Sequence, residues 1–552
     1  MNFIYYTLKL LGLKAKAFEK KTRDPVKTQK KILQEILSRN RKTEYGLKYG
    51  FSLINSPAEY RNRVPLSNYE SLRPLMNRIT KGEQNILTKD NPVFFSITSG
   101  TTGKPKLVPV TKYSQKKNSQ VINLSAYYVW RDHPKIVTGK ILAIVSPETV
   151  DYTPGGVLFG AESGHAYKHL PSAIKNSYSL PYEVFEIDDY NSRYYTILRV
   201  SMEHNITIIV TMTPSTIVLL CQLIEKLQND IIKDIRNGTL KKDLEIPLHI
   251  RKSLENILHP NPKRADELEK IIAKKKVLLP QDFWPNLQVI ECWKRGSMEL
   301  YLNKLPKYFG NTPIRDFGYF SSEMRSSIPI KDENASGILA ISTNFYEFIP
   351  REDIDKKEKR VLLCSQLKAG QEYFIVLTTP GGLYRYNIDD MIRVTGFFNK
   401  TPMIEFVQKG VNVTSATGEK IYESQIITAV NKATQTCGLS LELFVASLEL
   451  VNAARYAFLV EFNGNPAQEK KKELLITIEK ELRLINEEYD FNRTAQELAH
   501  PVLKVLVHGS FEKFRTKKIQ GGAHDSQFKL PHLTLDTNFY KNFDIVEEII
   551  SD

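Results

Sequence analysis

Ser96-Ile97-Thr98-Ser99-Gly100-Thr101-Thr102-Gly103-Lys104-Pro105-Lys106 follows the apolar, β-prone run Val93-Phe94-Phe95 and leads into Leu107-Val108-Pro109-Val110. The pattern predicts strand, tight turn, strand. Hydroxyls, two glycines and two lysines in such a turn are what a loop gripping a polyphosphate requires. Glycine lets backbone N–H groups converge on anionic oxygens, hydroxyls add donors, and lysine supplies compensating charge. Gly100 and Gly103 are separated by two residues, too short a spacer for the Walker pattern. The same residues also suit a Ser/Thr-rich hairpin turn, so the rest of the chain must decide.

A chain of 552 residues calls for more than one folding unit, because single cores rarely grow past roughly 250–300 residues. Hydrophobic and charged contents of 41% and 25% exclude dominant disorder, and 27 Tyr with 26 Phe support large aromatic cores. Lys+Arg exceed Asp+Glu by 77 to 62, a net charge of +15 that favours anionic partners. The basic residues are scattered, apart from clusters such as Lys274-Lys275-Lys276 and Lys517-Lys518, and no RNP-like or zinc-finger spacing appears. No nucleic-acid partner is expected. Cys221, Cys292, Cys364 and Cys437 lie far apart without a C-x-x-C, which fits a reducing, cytoplasmic compartment. Met1 to Phe18 is apolar but carries Lys9, Lys14 and Lys16. It reads as an amphipathic helix, packed or skimming a membrane, rather than a signal peptide.

Along the chain, Asp24-Pro25 signals a helix start, and the prolines of residues 57–90 suggest a loop-rich stretch. Residues 111–130 suit a helix and Ile141 to Val145 a buried strand. Residues 190–204 then read as a helix, Ile206 to Val210 as a strand, and Thr213-Pro214 as the cap of another helix. This alternation is that of a largely parallel sheet. His165 and His169 share the i, i+4 spacing of a metal pair. Gly164 and Pro171 leave little helix, however, and no acidic ligand lies in the motif, so no metal site is expected there.

Phe317-Gly318-Tyr319-Phe320-Ser321-Ser322-Glu323 combines aromatics, hydroxyls and a carboxylate. Read as a site, Tyr319 stacks on a purine and Glu323 holds Mg²⁺; read otherwise, the segment is a surface turn with a capping serine. From residue 336 short β-prone runs dominate, up to Gly381-Gly382-Leu383-Tyr384-Arg385-Tyr386-Asn387-Ile388-Asp389-Asp390. An aspartate there can accept from both ribose hydroxyls, or simply cap a strand. Beyond Phe406-Val407-Gln408-Lys409-Gly410 the chain alternates again as a small α/β domain.

Taken together, these segments resemble the adenylate-forming superfamily of acyl-CoA synthetases, peptide-synthetase adenylation domains and luciferases. More narrowly, the chain resembles the acyl acid amido synthetases (the auxin-responsive promoter family), best known from plants, where they couple jasmonate and indole-acetate to amino acids. The resemblance runs from Leu33-Gln34-Glu35-Ile36-Leu37-Ser38-Arg39-Asn40-Arg41-Lys42-Thr43-Glu44-Tyr45 to the segment Gln527-Phe528-Lys529-Leu530-Pro531. It implies an α/β fold with a large N-terminal adenylation domain (1–405) of mixed sheets and a β-rich subdomain, a hinge at 406–410, and a smaller mobile C-terminal domain (411–552). It implies that Thr98, Ser99, Gly100, Thr101, Thr102, Gly103 and Lys106 hold ATP phosphates, that Tyr319, Ser321 and Ser322 line the nucleotide, that Asp390 takes the ribose, and that Glu323 binds Mg²⁺. Lys420 matches a phosphate-contacting lysine, and Lys529 the lysine that stabilises the adenylation transition state. Lys409 stands where an arginine is usual, Phe320 where a small residue is usual, and Asp389 where a glycine is usual.

The implied activity is adenylation of a carboxylic acid followed by transfer to an amino acid amine, by a monomer. An acyl-CoA ligase would share the first half-reaction. A non-catalytic binding protein on this scaffold is the reading from a different class.

Overall fold

Runs of uninterrupted apolar residues become strands buried on both faces. Lys140–Ile144, Ile206–Thr211, Val289–Cys292 and Ile314–Asp316 lie side by side in that order, all parallel. Parallel neighbours need crossovers. Tyr190–Ser201 leads into the second strand, and Pro214–Asn237 leaves it. This is a computed structural model describing the chain apart from residues 1, 99–105, 296–297, 355, 411–412, 415–420, 452, 495–497, 521–529, 535 and 551–552.

The chain divides into two compact units, one of residues 1–294 and 301–406, the other of 295–300 and 407–552. The first unit also holds a two-stranded ribbon, Phe320–Ser321 with Met324–Arg325, and two larger sheets. In one, Pro92–Thr98 pairs antiparallel with Lys106–Thr111 and parallel with Leu158–Gly160. The other has seven strands in the order Ser327–Pro329, Gly337–Leu339, Thr401–Lys409, Tyr386–Phe398, Glu372–Thr378, Phe345–Pro350, Leu362–Leu363. Phe406 to Lys409, in the segment expected as a hinge, end the strand Thr401–Lys409, and the division between the two units falls after Phe406; a left-handed residue, Gly410 at φ 60°, follows.

In the second unit a five-stranded sheet, with Leu441–Val451 and Ala453–Phe462 at its centre, packs on helices Glu423–Cys437 and Gln468–Ile485. Each large core encloses thiols. Cys364 sits in the aromatic core around Tyr60 and Tyr384, Cys221 and Cys292 in the core of the parallel sheet, and Cys437 in the core of the second unit.

Residues 57–90 are irregular at 64–68 and 81–90 but carry two helices. Pro57 occupies the first turn of helix Pro57–Arg63, where its missing N–H costs nothing, behind the cap of Ser56. Pro74 lies inside helix Tyr69–Thr80. That helix survives the loss of one hydrogen bond because Tyr69, Leu72, Met76 and Ile79 bury one face. The N-terminal helix Asn2–Lys21 packs Leu8, Leu11, Ala15 and Phe18 inward and leaves Tyr6, Leu10 and Leu13 exposed. Among the described residues no helix is long and apolar enough to cross a membrane.

Candidate active site

The stretch Tyr384 to Asp390 enters the seven-stranded sheet through a left-handed residue, Arg385 at φ 45°. Its guanidinium is buried. Nε donates to Glu347 Oε2 at 2.9 Å, and Nη1 donates to the carbonyls of Arg61 at 3.1 Å and Val64 at 2.8 Å. Arg61 Nε donates to the other Glu347 oxygen at 3.0 Å, so two cations share a carboxylate that is 1% exposed.

Tyr384 donates to the Leu87 carbonyl at 2.7 Å and stacks on Tyr45, with centroids 5.0 Å apart. Tyr45 arrives from a tight turn in which the Thr43 hydroxyl accepts from the Gly46 N–H at 3.0 Å. A Cβ on Gly46 would stand 2.1 Å from the Asn40 carbonyl oxygen, so no other residue fits. The Asn40 to Gly46 motif and the Tyr-Arg motif thus form one packing unit, although more than three hundred residues separate them.

The second half of the stretch breaks the sheet's register. Phe374 faces Met391 and Val376 faces Asn387, so Ile375 alone opposes Ile388, Asp389 and Asp390. Such bulges re-aim side chains next to functional sites. Asp389 takes φ 64°, the conformation for which glycine is usual and which aspartate tolerates better than most residues. Asp390, 4% exposed, accepts from the Tyr319 hydroxyl at 2.7 Å. Tyr319 is itself buried, with its ring against Phe406 at 5.8 Å between centroids. Burial, and then the Asp390 carboxylate, push its hydroxyl well above the ordinary tyrosine range, so it remains a donor. With Phe406 against its ring and Asp390 on its hydroxyl, Tyr319 orients the aspartate in this structure; a purine stacked on it would need a face that is buried here.

Tyr319 reaches this point from the last parallel strand, Ile314–Asp316. Asp316 accepts from the backbone N–H groups of Gly318 at 2.6 Å and Lys294 at 2.8 Å, tying two strand ends together. Ligands in α/β folds gather at such carboxyl ends. Ser321 accepts from the Glu323 N–H at 3.3 Å, and Ser322 donates to the Ile97 carbonyl at 3.4 Å. Glu323, half-buried, lies close enough that its charge helps raise the Tyr69, Tyr319 and Tyr386 hydroxyls, in each case after burial as the main cause. Phe320 packs against Trp293 at 4.9 Å and under the Arg325 guanidinium at 4.5 Å.

Lys106 pairs with Thr98 across the opening hairpin, and its ammonium lies 5.6 Å over the Tyr69 ring. The Tyr69 hydroxyl in turn accepts from the Leu107 N–H at 2.8 Å. Lys106, Tyr69, Tyr319, Ser321, Ser322, Glu323 and Asp390 are thus linked by contacts or fields within the first unit. Lys409 ends the strand Thr401–Lys409 and belongs with the second unit. Ser99, Gly100, Thr101, Thr102, Gly103, Lys420 and Lys529 lie outside the described residues.

A second cluster was not expected. His165 Nδ1 lies 2.8 Å and His169 Nε2 3.0 Å from Oε1 of Glu148. The spacing of the two histidines supplies little helix and no acid of its own; the acid comes from 17 residues upstream of His165, brought in by the fold.

Residues 14–314 match the GH3 family N-terminal domain. The chain belongs to the GH3 family. The GH3 central domain matches residues 337–409, the stretch holding Arg385 and Asp390, and the GH3 C-terminal domain matches 424–538. Two relatives cover nearly the whole chain. Jasmonoyl-L-amino acid synthetase JAR4 of Nicotiana attenuata is 27% identical, over 94% of this chain and 93% of its own length. Indole-3-acetic acid-amido synthetase GH3.10 of Arabidopsis thaliana is 28% identical over 94% of both. The solved structure of AtGH3.15 acyl acid amido synthetase in complex with 2,4-DB has the same fold, with a TM-score of 0.86 at 23% identity over 97% of each chain.

Proposed function

We propose that this GH3 protein is an acyl acid amido synthetase: it adenylates a carboxylic acid with ATP and transfers the acyl group to an amino acid amine. The observation that carries this reading is the buried Tyr319–Asp390 hydrogen bond beside Glu323, which joins two distant motifs at one strand end. The names of the relatives point the same way.

In the first step a carboxylate oxygen attacks the α-phosphorus, an O–P bond forms, and pyrophosphate leaves. In the second, the amine nitrogen attacks the acyl carbonyl and AMP leaves. Asp390, held by Tyr319, accepts from the ribose hydroxyls. Lys106 and the residues from Thr98 to Gly103 hold the phosphates. Lys420 and Lys409 add positive charge at the phosphates, and Lys529 meets the charge that develops between carboxylate and α-phosphate. The Glu323 carboxylate, an oxygen ligand of the kind Mg²⁺ takes, would hold the ion, which when bound neutralises charge on the triphosphate, and Ser321 and Ser322 line the nucleotide. We place the division of labour at residues 1–405 and 411–552 with 406–410 as the hinge, and the reaction in the cytoplasm by a monomer.

ATP–pyrophosphate exchange across aromatic, fatty and oxylipin-like acids tests this reading. Acid-dependent exchange, with the adenylate consumed by amino acids and not by CoA, is expected. Consumption by CoA alone would make the chain a thioester ligase, and ATP binding without exchange for any acid would make it a binding protein. Lys529→Ala should slow exchange roughly 10²–10³-fold, the usual loss of a preorganised charge; an unchanged rate would remove Lys529 from the site.

A further inference from the structure

The geometry points to a divalent transition-metal site formed by Glu148, His165 and His169, apart from the residues assigned to adenylation. The three ligand atoms lie within 4.8 Å of one another, and their convergence is built into the backbone. A Cβ on Gly160 would stand 1.6 Å from the Glu148 carbonyl oxygen, and one on Gly164 would stand 2.2 Å from the Ser146 carbonyl oxygen. Only bare backbone at both positions lets the 146–148 segment lie against helix Glu162–Lys168. The Glu148 N–H donates to the Tyr182 hydroxyl at 2.7 Å, which pins the residue from the other side.

The ligands are held before any metal arrives. The Glu148 side chain is 6% exposed, and its second oxygen, Oε2, lies 3.1 Å from the Lys168 ammonium. Burial alone would raise its pKa. Hydrogen bonds from His165, Lys168 and His169 outweigh that and keep the carboxyl below its ordinary value, so it stays ionised. The His165 ring stacks on Phe94 with centroids 4.4 Å apart, and its Nε2 lies 2.9 Å from Gln115 Nε2. His169 ends the helix, with its side chain 62% exposed, which leaves the outer coordination positions to water.

Two imidazoles and one carboxylate, without a thiolate, are the donors of an open zinc-type site and are too nitrogen-rich for Mg²⁺ or Ca²⁺. A tetrahedral ion with bonds of about 2.0–2.1 Å sets its ligand atoms roughly 3.3 Å apart. Glu148 Oε1 now lies 2.8 and 3.0 Å from the two ring nitrogens, so each ring must retreat from that oxygen by a few tenths of an ångström, while the two ring nitrogens, now within 4.8 Å of each other, settle at the same spacing. The proton balance closes within the cluster. A ring carrying one proton moves it from the nitrogen facing Glu148 to the other one, and the lone pair exposed takes the metal. At His165 the Gln115 amide then turns over, so that its oxygen accepts the new Nε2–H, an outer contact of the kind that orients metal-bound imidazoles.

The test uses the full-length chain without a histidine tag, stripped with a chelator and titrated with Co²⁺ or Zn²⁺ alone. One Co²⁺ per chain should bind with visible d–d absorption, resist a large excess of Mg²⁺ and be displaced by Zn²⁺. Exposed His169 can be changed without disturbing packing. His169→Ala should keep the melting temperature and weaken binding by more than the roughly 10–100-fold that losing an outer-shell partner costs; Glu148→Gln, of the same shape, should do likewise. No saturable uptake, or equal uptake by wild type and His169→Ala, would overturn the site and leave Glu148 as a hydrogen-bonded anchor. Neither result bears on pyrophosphate exchange, so this inference stands or falls separately from the proposed function.

Discussion

The two halves of Tyr384 to Asp390 are adjacent in sequence and opposite in purpose. Tyr384 and Arg385 turn their contacts to the scaffold: the side chains reach Leu87, Glu347, Arg61 and Val64, and the backbone reaches Ser67 and Thr378. Asp389 and Asp390 ride a bulge that lifts them out of the sheet's alternation. A motif can therefore be half brace and half instrument, and matching its letters does not say which residue is which. Burial does not separate them either, since Arg385 and Asp390 are 5% and 4% exposed. What separates them is how many of their partners are permanent.

Substitutions that hit one half should leave the other's signature intact. Glu347→Ala strands two buried or half-buried guanidinium groups and should cost about 3–5 kcal/mol of stability, read as a lower denaturant midpoint. If that variant unfolds like wild type, the bracing role of Arg385 is wrong. Asp390→Asn keeps the volume and the scaffold; it should leave the midpoint near wild type and weaken ATP by about 1.5–3 kcal/mol, the worth of hydrogen bonds to a charged group. Equal losses of stability and ATP affinity would erase the distinction between the halves. Tyr319→Phe acts only through Asp390. Its effect on ATP should therefore be smaller than that of Asp390→Asn and should nearly vanish in the Asp390→Asn background, a coupling that a double-mutant cycle measures. The smallest effect belongs to Asp389→Gly. Relief of left-handed strain should raise stability by no more than about 1 kcal/mol, with pyrophosphate exchange unchanged; a large loss of exchange would move Asp389 into the site.

Much of this was legible beforehand, for identifiable reasons. The parallel sheet announced itself because strands buried on both faces are continuous apolar runs, as in Ile206 to Val210. The second unit was visible as an α/β alternation, and its helices Glu423–Cys437 and Gln468–Ile485 bear that out. The two helices within 57–90 were hidden because proline has two meanings, and only the fold shows that Pro57 starts one and that Pro74 is carried by its neighbours' burial. The partner of the Tyr319 hydroxyl left no local sign, because Asp390 lies 71 residues away. The bulge left no sign because no glycine marks it. Glu148 escaped notice because its approach to His165 depends on two backbone contacts at Gly160 and Gly164, which no local spacing encodes.

The placement of the four cysteines has a practical consequence. All are buried, and each of the three large cores holds at least one. Thiols react as thiolates and only when reached, and burial pushes those of Cys221, Cys292 and Cys364 above their ordinary range. Alkylation followed by peptide mass spectrometry therefore times the opening of each core separately, in the unmutated chain and in one sample. The natural sequence already contains a set of independent unfolding clocks, one to a core.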